Sequence, residues 1–179
     1  MNERLVEANG LHTYYGSHHI LHGVGFTIRR GEAIGLMGRN GMGKTTLLRT
    51  LLGLVRPREG SVHIRGRDAT HEAPHRIARS GIALVPEREK VFPNLTVAEN
   101  LLIPAAPGLG GAERKRQEAQ VLQFFPKLEE LHARTAGLLS GGERQMLGIA
   151  AALVSKPELL LVEQSAPPES PAAVTQVIP

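Results

Sequence analysis

Eight residues in the first third of the chain have the types and the spacing of a phosphate-binding loop. Residues 38–45 read Gly-Arg-Asn-Gly-Met-Gly-Lys-Thr and fit the pattern G-x-x-x-x-G-K-[ST] at every position. Glycines at this spacing let successive backbone N–H groups turn inward around phosphate oxygens, and a following helix adds the positive end of its dipole. Lys44 is expected to reach the β- and γ-phosphates of a nucleotide, and the Thr45 hydroxyl is expected to ligate Mg²⁺.

The elements around the loop strengthen this prediction. An incidental glycine-rich turn is the alternative, but an apolar run precedes the loop and a helical pattern follows it, as the motif requires. The residues predicted to contact the nucleotide here are Gly38, Arg39, Asn40, Gly41, Met42, Gly43, Lys44, Thr45 and Thr46.

A second string with two glycines opens a later helix and reads Leu-Ser-Gly-Gly-Glu-Arg-Gln at residues 139–145. Ser140 and Glu143, three residues apart, have the pattern of a capping box. A cap does not need Gly141 and Gly142, which destabilise a first helical turn, whereas paired glycines at a helix start permit the backbone to approach an anion. From this string alone, capping and phosphate binding both remain open.

Strands alternating with helices predict an α/β domain that positions these strings. Residues 33–37 form a continuous apolar run, typical of a parallel strand that is buried on both faces. Residues 44–54 carry leucines at helical spacing. Short strands are predicted at residues 5–8, 25–28, 60–65, 82–85 and 159–162, with a loop at residues 14–17 between the first two.

The organisation predicted from this pattern is one domain with a helical insertion. Residues 91–138 are charged and mostly helical, with one helix over residues 113–125 and a second that starts at Pro126. The predicted core therefore comprises residues 1–86 and 155–179, and residues 87–154 form a helical subdomain that contains the second glycine string.

Composition excludes several classes of function. The chain of 179 residues has no cysteine, so it forms no disulfide, no thiolate metal site and no thiol nucleophile. The Lys and Arg residues behind its net charge of +4 are scattered and only 3% of residues are aromatic, so no nucleic-acid partner is expected. The sequence shows no secretory signal and no apolar run near the ~20 residues of a membrane-spanning helix, so a cytoplasmic protein is expected.

Taken in order, the two strings and the insertion between them resemble the ATP-binding-cassette family from about Leu5 to Val162. The resemblance implies a P-loop α/β core with an antiparallel amino-terminal layer, and ATP and Mg²⁺ as its cofactors. It also implies a head-to-tail dimer, in which Ser140, Gly141 and Gly142 of one subunit contact the γ-phosphate held by the other. Tyr15 matches the aromatic residue that stacks on adenine, with an ordinary surface or core tyrosine as the alternative.

Several strings narrow the resemblance to the smaller ATPase subunit of branched-chain amino acid importers: residues 11–16, 38–45, 85–87, 91–101 and 140–147. Glu87 stands where the family generally has a glutamine that senses Mg²⁺ and the attacking water. This importer branch often carries Glu there, whereas the similar urea importer ATPases usually keep Gln and stay as the alternative. The resemblance implies two membrane permease subunits as partners, contacted near Glu87 and residues 92–95, and a position on the inner face of the cell membrane.

The pattern departs from the family after the strand at residues 159–162. Aligned without a gap, Glu163 replaces the Asp that holds Mg²⁺ through water, and Gln164 replaces the catalytic Glu. A one-residue slip would make Glu163 the catalytic carboxylate and leave Val162 at the magnesium position. Gln164 cannot accept a proton, and losing a general base typically costs roughly 10²–10⁴ in rate.

Beyond Gln164 the chain barely resembles the family and contains no matching switch histidine, so we expect a fold that is truncated or divergent at its carboxyl end. In the family, a further strand runs between the strand before the P-loop and the strand of residues 159–162. Residues 173–178 have enough β-branched character to fill part of that place. Whether the chain is an active ATPase, a non-hydrolysing or vestigial ATP-binding fragment, or a family member acting on ribosomes or DNA stays open on these grounds.

Overall fold

The computed structural model describes residues 3–39, 41–87, 91–104, 110–163 and 174–175. Two compact units are present, one formed by Met1–Ile82 with Glu158–Pro179 and the other by Ala83–Pro157. The domain boundaries derived from the sequence, at residues 86/87 and 154/155, stay a prediction.

The first unit is built mainly from strands. Its elements in chain order are β1 (Arg4–Tyr15), β2 (His18–Arg29), β3 (Ile34–Gly35), α1 (Lys44–Leu51), β4 (Glu59–Ile64), β5 (Arg67–Asp68), α2 (Pro74–Arg79), β6 (Ile82–Val85, of which only Ile82 belongs to this unit), β7 (Leu159–Val162) and β8 (Val174–Thr175). Four of the strands form an antiparallel sheet in the order β2-β1-β4-β5. This sheet is the antiparallel amino-terminal layer that the sequence predicts.

The β1–β2 hairpin is longer than the short strands predicted at residues 5–8 and 25–28. Tyr14 and Tyr15, predicted to lie in a loop, belong to β1, and only Gly16 and Ser17 separate the strands. The register of the pair shifts at four places along its length. Each such irregularity breaks the alternation of inward and outward side chains, so the hydrophobic pattern did not reveal the full strands.

The strand before the phosphate loop differs from its prediction. Only Ile34–Gly35 is a strand, it is not buried on both faces, and Met37 after it is 64% exposed. Its partner among the residues that the structure describes is β8, which runs antiparallel with Ile34 opposite Thr175. Burial on both faces requires neighbouring strands and helices that local sequence does not specify. The expectation that residues 173–178 fill part of the place beside this strand is confirmed for Val174–Thr175.

Helix α1 ends three residues before its predicted end at Leu54. Gly53 adopts a left-handed φ of 69°, its N–H donates to the Thr50 carbonyl, and the Leu54 N–H donates to the Arg49 carbonyl. These two bonds form a Schellman motif, in which glycine is the residue that ends a helix at least cost. A side chain on Gly53 would also meet the backbone of Glu72 at 2.6 Å.

The second unit is helical, as predicted for the insertion. Beyond the remainder of β6, it contains α3 (Val97–Leu102), α4 (Gly111–Leu122), α5 (Pro126–Glu130), a 3₁₀ turn (Ala136–Leu138) and α6 (Gly141–Val154). Its core consists of apolar side chains from all of these helices, including Val97, Leu101, Leu128, Leu147 and Val154. Among the described residues, no helix is long and apolar enough to cross a membrane.

Candidate nucleotide-phosphate site

The first helix after the glycine loop begins without a cap of its own. Gly43 is the N-cap residue in a left-handed conformation with φ 87°, no side chain caps the helix, and the first turn contains no acidic residue. By contrast, α3 and α6 each start with a capping box that includes a glutamate. The first N–H groups of α1 and the positive end of its dipole are therefore available to an anion.

Glycine is required at Gly43 by packing as well as by conformation. A Cβ atom at this position would lie 3.0 Å from Leu21 Cδ2, 3.2 Å from Ile20 Cγ2 and 3.4 Å from the Ile20 carbonyl oxygen. Strand β2 thus packs directly against the start of α1 and fixes the end of the loop. This role of Ile20 and Leu21 is not among the predictions from the sequence, although the two form an apolar pair flanked by polar residues.

The Lys44 ammonium group lies along the loop that precedes it. It donates to the carbonyl oxygens of Gly38 at 2.5 Å and Arg39 at 2.9 Å. An ammonium group has three N–H donors, so one is left for a further acceptor. The loop therefore holds the charge of Lys44 beside the uncapped start of α1.

Two of the predicted magnesium ligands come together in this unit. The Thr45 hydroxyl donates a short hydrogen bond to the Glu163 carboxylate, although the two residues are 118 positions apart in sequence. Strand β7 carries Glu163 at its end and is anchored by Leu159, Leu160 and Leu161, all buried. A hydroxyl and a carboxylate are hard oxygen donors of the kind that Mg²⁺ prefers, so these residues fit the ion.

The other predicted residues of this site are placed differently. Tyr15 is 42% exposed at the end of β1, whereas the Thr46 side chain is buried and only its backbone could serve a ligand. Two further predicted residues, Asn40 and Gln164, lie outside the described residues. Glu87, a predicted magnesium and catalytic residue, is half-exposed in the second unit.

The second glycine string begins α6 in the second unit, and its capping box is confirmed. The Ser140 hydroxyl accepts from the Glu143 N–H at 3.3 Å, and the Glu143 carboxylate accepts from the Ser140 N–H at 2.7 Å. The backbone N–H of Ser140, and then its hydroxyl, lower the pKa of Glu143. Gly141 and Gly142 have no left-handed φ, and an added Cβ at either would meet no atom of the described part of the chain within 4 Å. Neither backbone strain nor packing in the described residues accounts for these two glycines.

Comparison with known proteins agrees with this arrangement. The model of the ABC transporter family matches residues 21–164. The chain belongs to the ABC transporter family. It is 40% identical over 170 residues to the high-affinity branched-chain amino acid transport ATP-binding protein BraG of Pseudomonas aeruginosa. This match covers 92% of this chain and 70% of BraG. It is also 40% identical over 161 residues to the probable branched-chain amino acid transport ATP-binding protein LivF of Archaeoglobus fulgidus, with 90% and 68% covered.

Solved structures extend the similarity to the fold. A nucleotide-free ATP-binding cassette from an ABC transporter matches with a TM-score of 0.78 and 28% identity, over 89% of this chain and 68% of that chain. The ADP conformation of MJ1267, an ATP-binding cassette of an ABC transporter, matches with a TM-score of 0.77 and 27% identity, over 88% of this chain and 67% of that chain. The chain is an ATP-binding subunit of an ABC transporter with the P-loop α/β fold, as predicted from its two glycine strings.

Proposed function

We propose that this protein is the ATP-binding subunit of an importer for branched-chain amino acids, docked on two membrane permease subunits at the inner face of the membrane. The observation that carries the nucleotide part is the hydrogen bond between Thr45 and Glu163, because it joins two predicted magnesium ligands beside Lys44. The names of the relatives BraG and LivF support the choice of substrate. The importer-like strings around Tyr15, Glu87 and residues 92–95 support it as well.

In this proposal, different residues of the first unit bind different parts of MgATP. Amides of the loop and of the start of α1 hold the phosphates, Lys44 neutralises the β- and γ-phosphates, and Tyr15 stacks on adenine. Thr45 and Glu163 would hold Mg²⁺, which when bound neutralises charge that develops on the phosphates. Glu87 belongs to the second unit, and its part in holding Mg²⁺ stays a prediction from the sequence.

The second unit contributes to the nucleotide of a partner subunit. Ser140, Gly141 and Gly142 contact the γ-phosphate held by the loop of the other chain, which closes a head-to-tail dimer. The open space over both glycines supports this role, since the described residues give no other reason for two poor helix formers at this place. Closing and reopening of the dimer drives transport through the permease subunits.

A second candidate function is ATP binding with little or no hydrolysis, and Gln164 favours it. The contact of Glu163 with Thr45 supports the alignment in which Glu163 takes the magnesium position. In that alignment the next residue, Gln164, stands where a general base is needed. We expect phosphate release at saturating MgATP to match that of the Lys44→Ala variant, even though the unmodified chain binds MgATP more tightly. A rate clearly above that of the variant would contradict the placement of Gln164.

Calorimetry tests the nucleotide site. Lys44→Ala removes the charge that faces the β- and γ-phosphates, so its affinity for MgATP should fall clearly below that of the unmodified chain. Arg49→Ala is the matched control, because it removes an exposed positive charge from the last turn of the same helix. Equal affinities of the unmodified chain and Lys44→Ala would overturn the role of Lys44.

Co-purification tests the substrate class. The full chain is expressed with the permease pair of a branched-chain amino acid importer and, separately, with the permeases of a urea importer. Recovery with the first pair and uptake of a branched-chain amino acid are expected. Recovery with the urea permeases alone, or with ribosomes, would assign the chain to another system.

A further inference from the structure

The second tyrosine of the hairpin, Tyr14, lies within a stack of three side chains. Its ring is parallel to the His19 imidazole, with a centroid distance of 4.1 Å and an interplanar angle of 6°. The Arg58 guanidinium carbon lies 4.2 Å from the centroid of the same ring. Because His19 covers one face of the tyrosine, Arg58 has to lie over the other. A guanidinium over an aromatic face is a favourable cation–π contact.

Arg58 is also hydrogen-bonded to the backbone at two places near the end of the hairpin, one in β1 and one in the turn. Its guanidinium donates to the Gly16 carbonyl at 2.7 Å, and its backbone N–H donates to the His12 carbonyl at 2.8 Å. Gly16 is the first residue of the two-residue turn and has a left-handed φ of 58°. Arg58 therefore holds both the turn that follows Tyr15 and the ring that precedes it.

The charges around the stack suit this arrangement. His12 Nδ1 and His19 Nε2 are 3.0 Å apart, so one nitrogen must accept while the other donates. Burial first, and then the neighbouring His22, lower the pKa of His19, while a hydrogen bond with the Leu21 backbone acts in the opposite sense. A neutral imidazole under Tyr14 leaves Arg58 as the cation of the stack, without a competing positive charge on the other face.

From these contacts we infer that Arg58 is a positioning residue for the adenine contact of Tyr15, an inference that rests on the proposed function. Tyr14 and Tyr15 are consecutive in a strand, so their side chains point to opposite faces. Fixing the ring of Tyr14 and the carbonyl of Gly16 fixes the backbone on either side of Tyr15. A ring held in place before binding loses less freedom when a base stacks on it, and this is worth about two- to tenfold in affinity.

The test compares two ligands that differ by the nucleoside. Affinities for ATP and for inorganic tripolyphosphate, each with Mg²⁺, are measured for the full chain and for Tyr15→Ala, Arg58→Ala, Arg58→Lys and the double variant Tyr15→Ala/Arg58→Ala. Tyr15→Ala should weaken ATP about five- to 150-fold, the range for loss of one stacking contact, and leave tripolyphosphate unchanged. Arg58→Ala should weaken ATP about two- to tenfold with the same selectivity, and Arg58→Lys should recover part of the loss.

The double variant separates positioning from a general structural role. In the Tyr15→Ala background, Arg58→Ala should have no further effect on ATP. The inference is overturned if Arg58→Ala weakens both ligands equally, or if it leaves ATP unchanged while Tyr15→Ala weakens it. An unchanged affinity of Tyr15→Ala for ATP would instead reject the adenine contact of the proposed function. If Arg58→Ala does not fold, Arg58→Gln replaces it in the same affinity measurements, and the same outcomes support or overturn the inference. Glutamine keeps a donor for the Gly16 carbonyl but removes the charge.

Discussion

Replacing Gly43 by alanine should destabilise the chain more than the same change at Gly41. The two sites differ mainly in how closely other atoms surround an added Cβ. Both glycines have left-handed φ values, 87° at Gly43 and 85° at Gly41. Among the residues that the structure describes, an added Cβ at Gly41 meets nothing within 4 Å, whereas at Gly43 it lies 3.0 Å from Leu21 Cδ2 and 3.2 Å from Ile20 Cγ2. The two alanine variants therefore share the cost of a left-handed backbone, and only Gly43→Ala adds the cost of steric crowding.

The magnitudes follow from these two terms. An alanine in the left-handed region costs about 1–2 kcal/mol, and this term applies equally to both variants. Overpacking typically costs about 1–3 kcal/mol, and it applies only to Gly43→Ala. We take the lower part of that range, about 1–2 kcal/mol, because the atoms that crowd Gly43 most closely are the ends of side chains. Leu21, however, is only 2% exposed and cannot move into solvent.

Urea unfolding of the protein without nucleotide measures the difference. With a slope of about 2 kcal/mol/M, the midpoint of Gly43→Ala should lie about 0.5–1 M below that of Gly41→Ala. Nucleotide affinity is not the readout, because both substitutions change the phosphate loop itself. Equal midpoints would show that β2 does not fix the start of α1, and would remove the packing argument for Gly43.

Three further predictions concern other groups of the two units. Ser140→Ala and Thr96→Ala should each lower stability by about 1 kcal/mol in thermal unfolding through loss of a helix cap, but only Ser140→Ala should weaken dimerisation with MgATP in sedimentation. Glu163→Ala should reduce Mg²⁺-dependent ATP affinity about tenfold or more and leave the affinity in EDTA unchanged, since a carboxylate that supports a metal is worth about 10–100-fold. Folding lowers the pKa of His19 from 6.5, so on acidification the unfolded chain takes up a proton at His19 at a higher pH than the folded chain does. The free energy of unfolding should therefore fall as the pH drops below 6.5, and His19→Gln should make this fall less steep in unfolding curves recorded at several pH values.

Local chemistry made the loop, the helix starts and some strands predictable from sequence. Residues 38–45 and the capping box at Ser140 are short patterns whose physical basis lies within a few residues. The strands Ile82–Val85 and Leu159–Val162 are apolar runs with the length of strands, and the structure has them at the predicted bounds.

Features that depend on distant partners were not predictable. The full hairpin was hidden by its register shifts, and the exposure of Met37 depends on what pairs with β3. The contacts of Arg58 with Tyr14 and Gly16 bridge 44 and 42 positions of sequence and leave no periodic pattern. A cation–π contact can be recognised only when the fold has brought the arginine to the ring.

The starts of α1 and α6 differ in a way that reconciles the two interpretations of the second glycine string. At α1 no side chain caps the first amides, and the Glu163 carboxylate nearby accepts from the Thr45 hydroxyl, so these amides can hold phosphate. At α6 the Glu143 carboxylate already occupies the Ser140 N–H and partly offsets the dipole. The Ser140 hydroxyl accepts from the Glu143 N–H, and its one O–H lies close enough to the Glu143 carboxylate to lower the pKa of that group. Turning this O–H to a phosphate oxygen keeps the bond from the Glu143 N–H, so capping and contact with a γ-phosphate are compatible at Ser140 in the proposed dimer. There, the carboxylate would favour a phosphate whose charge Lys44 and Mg²⁺ of the other subunit have reduced.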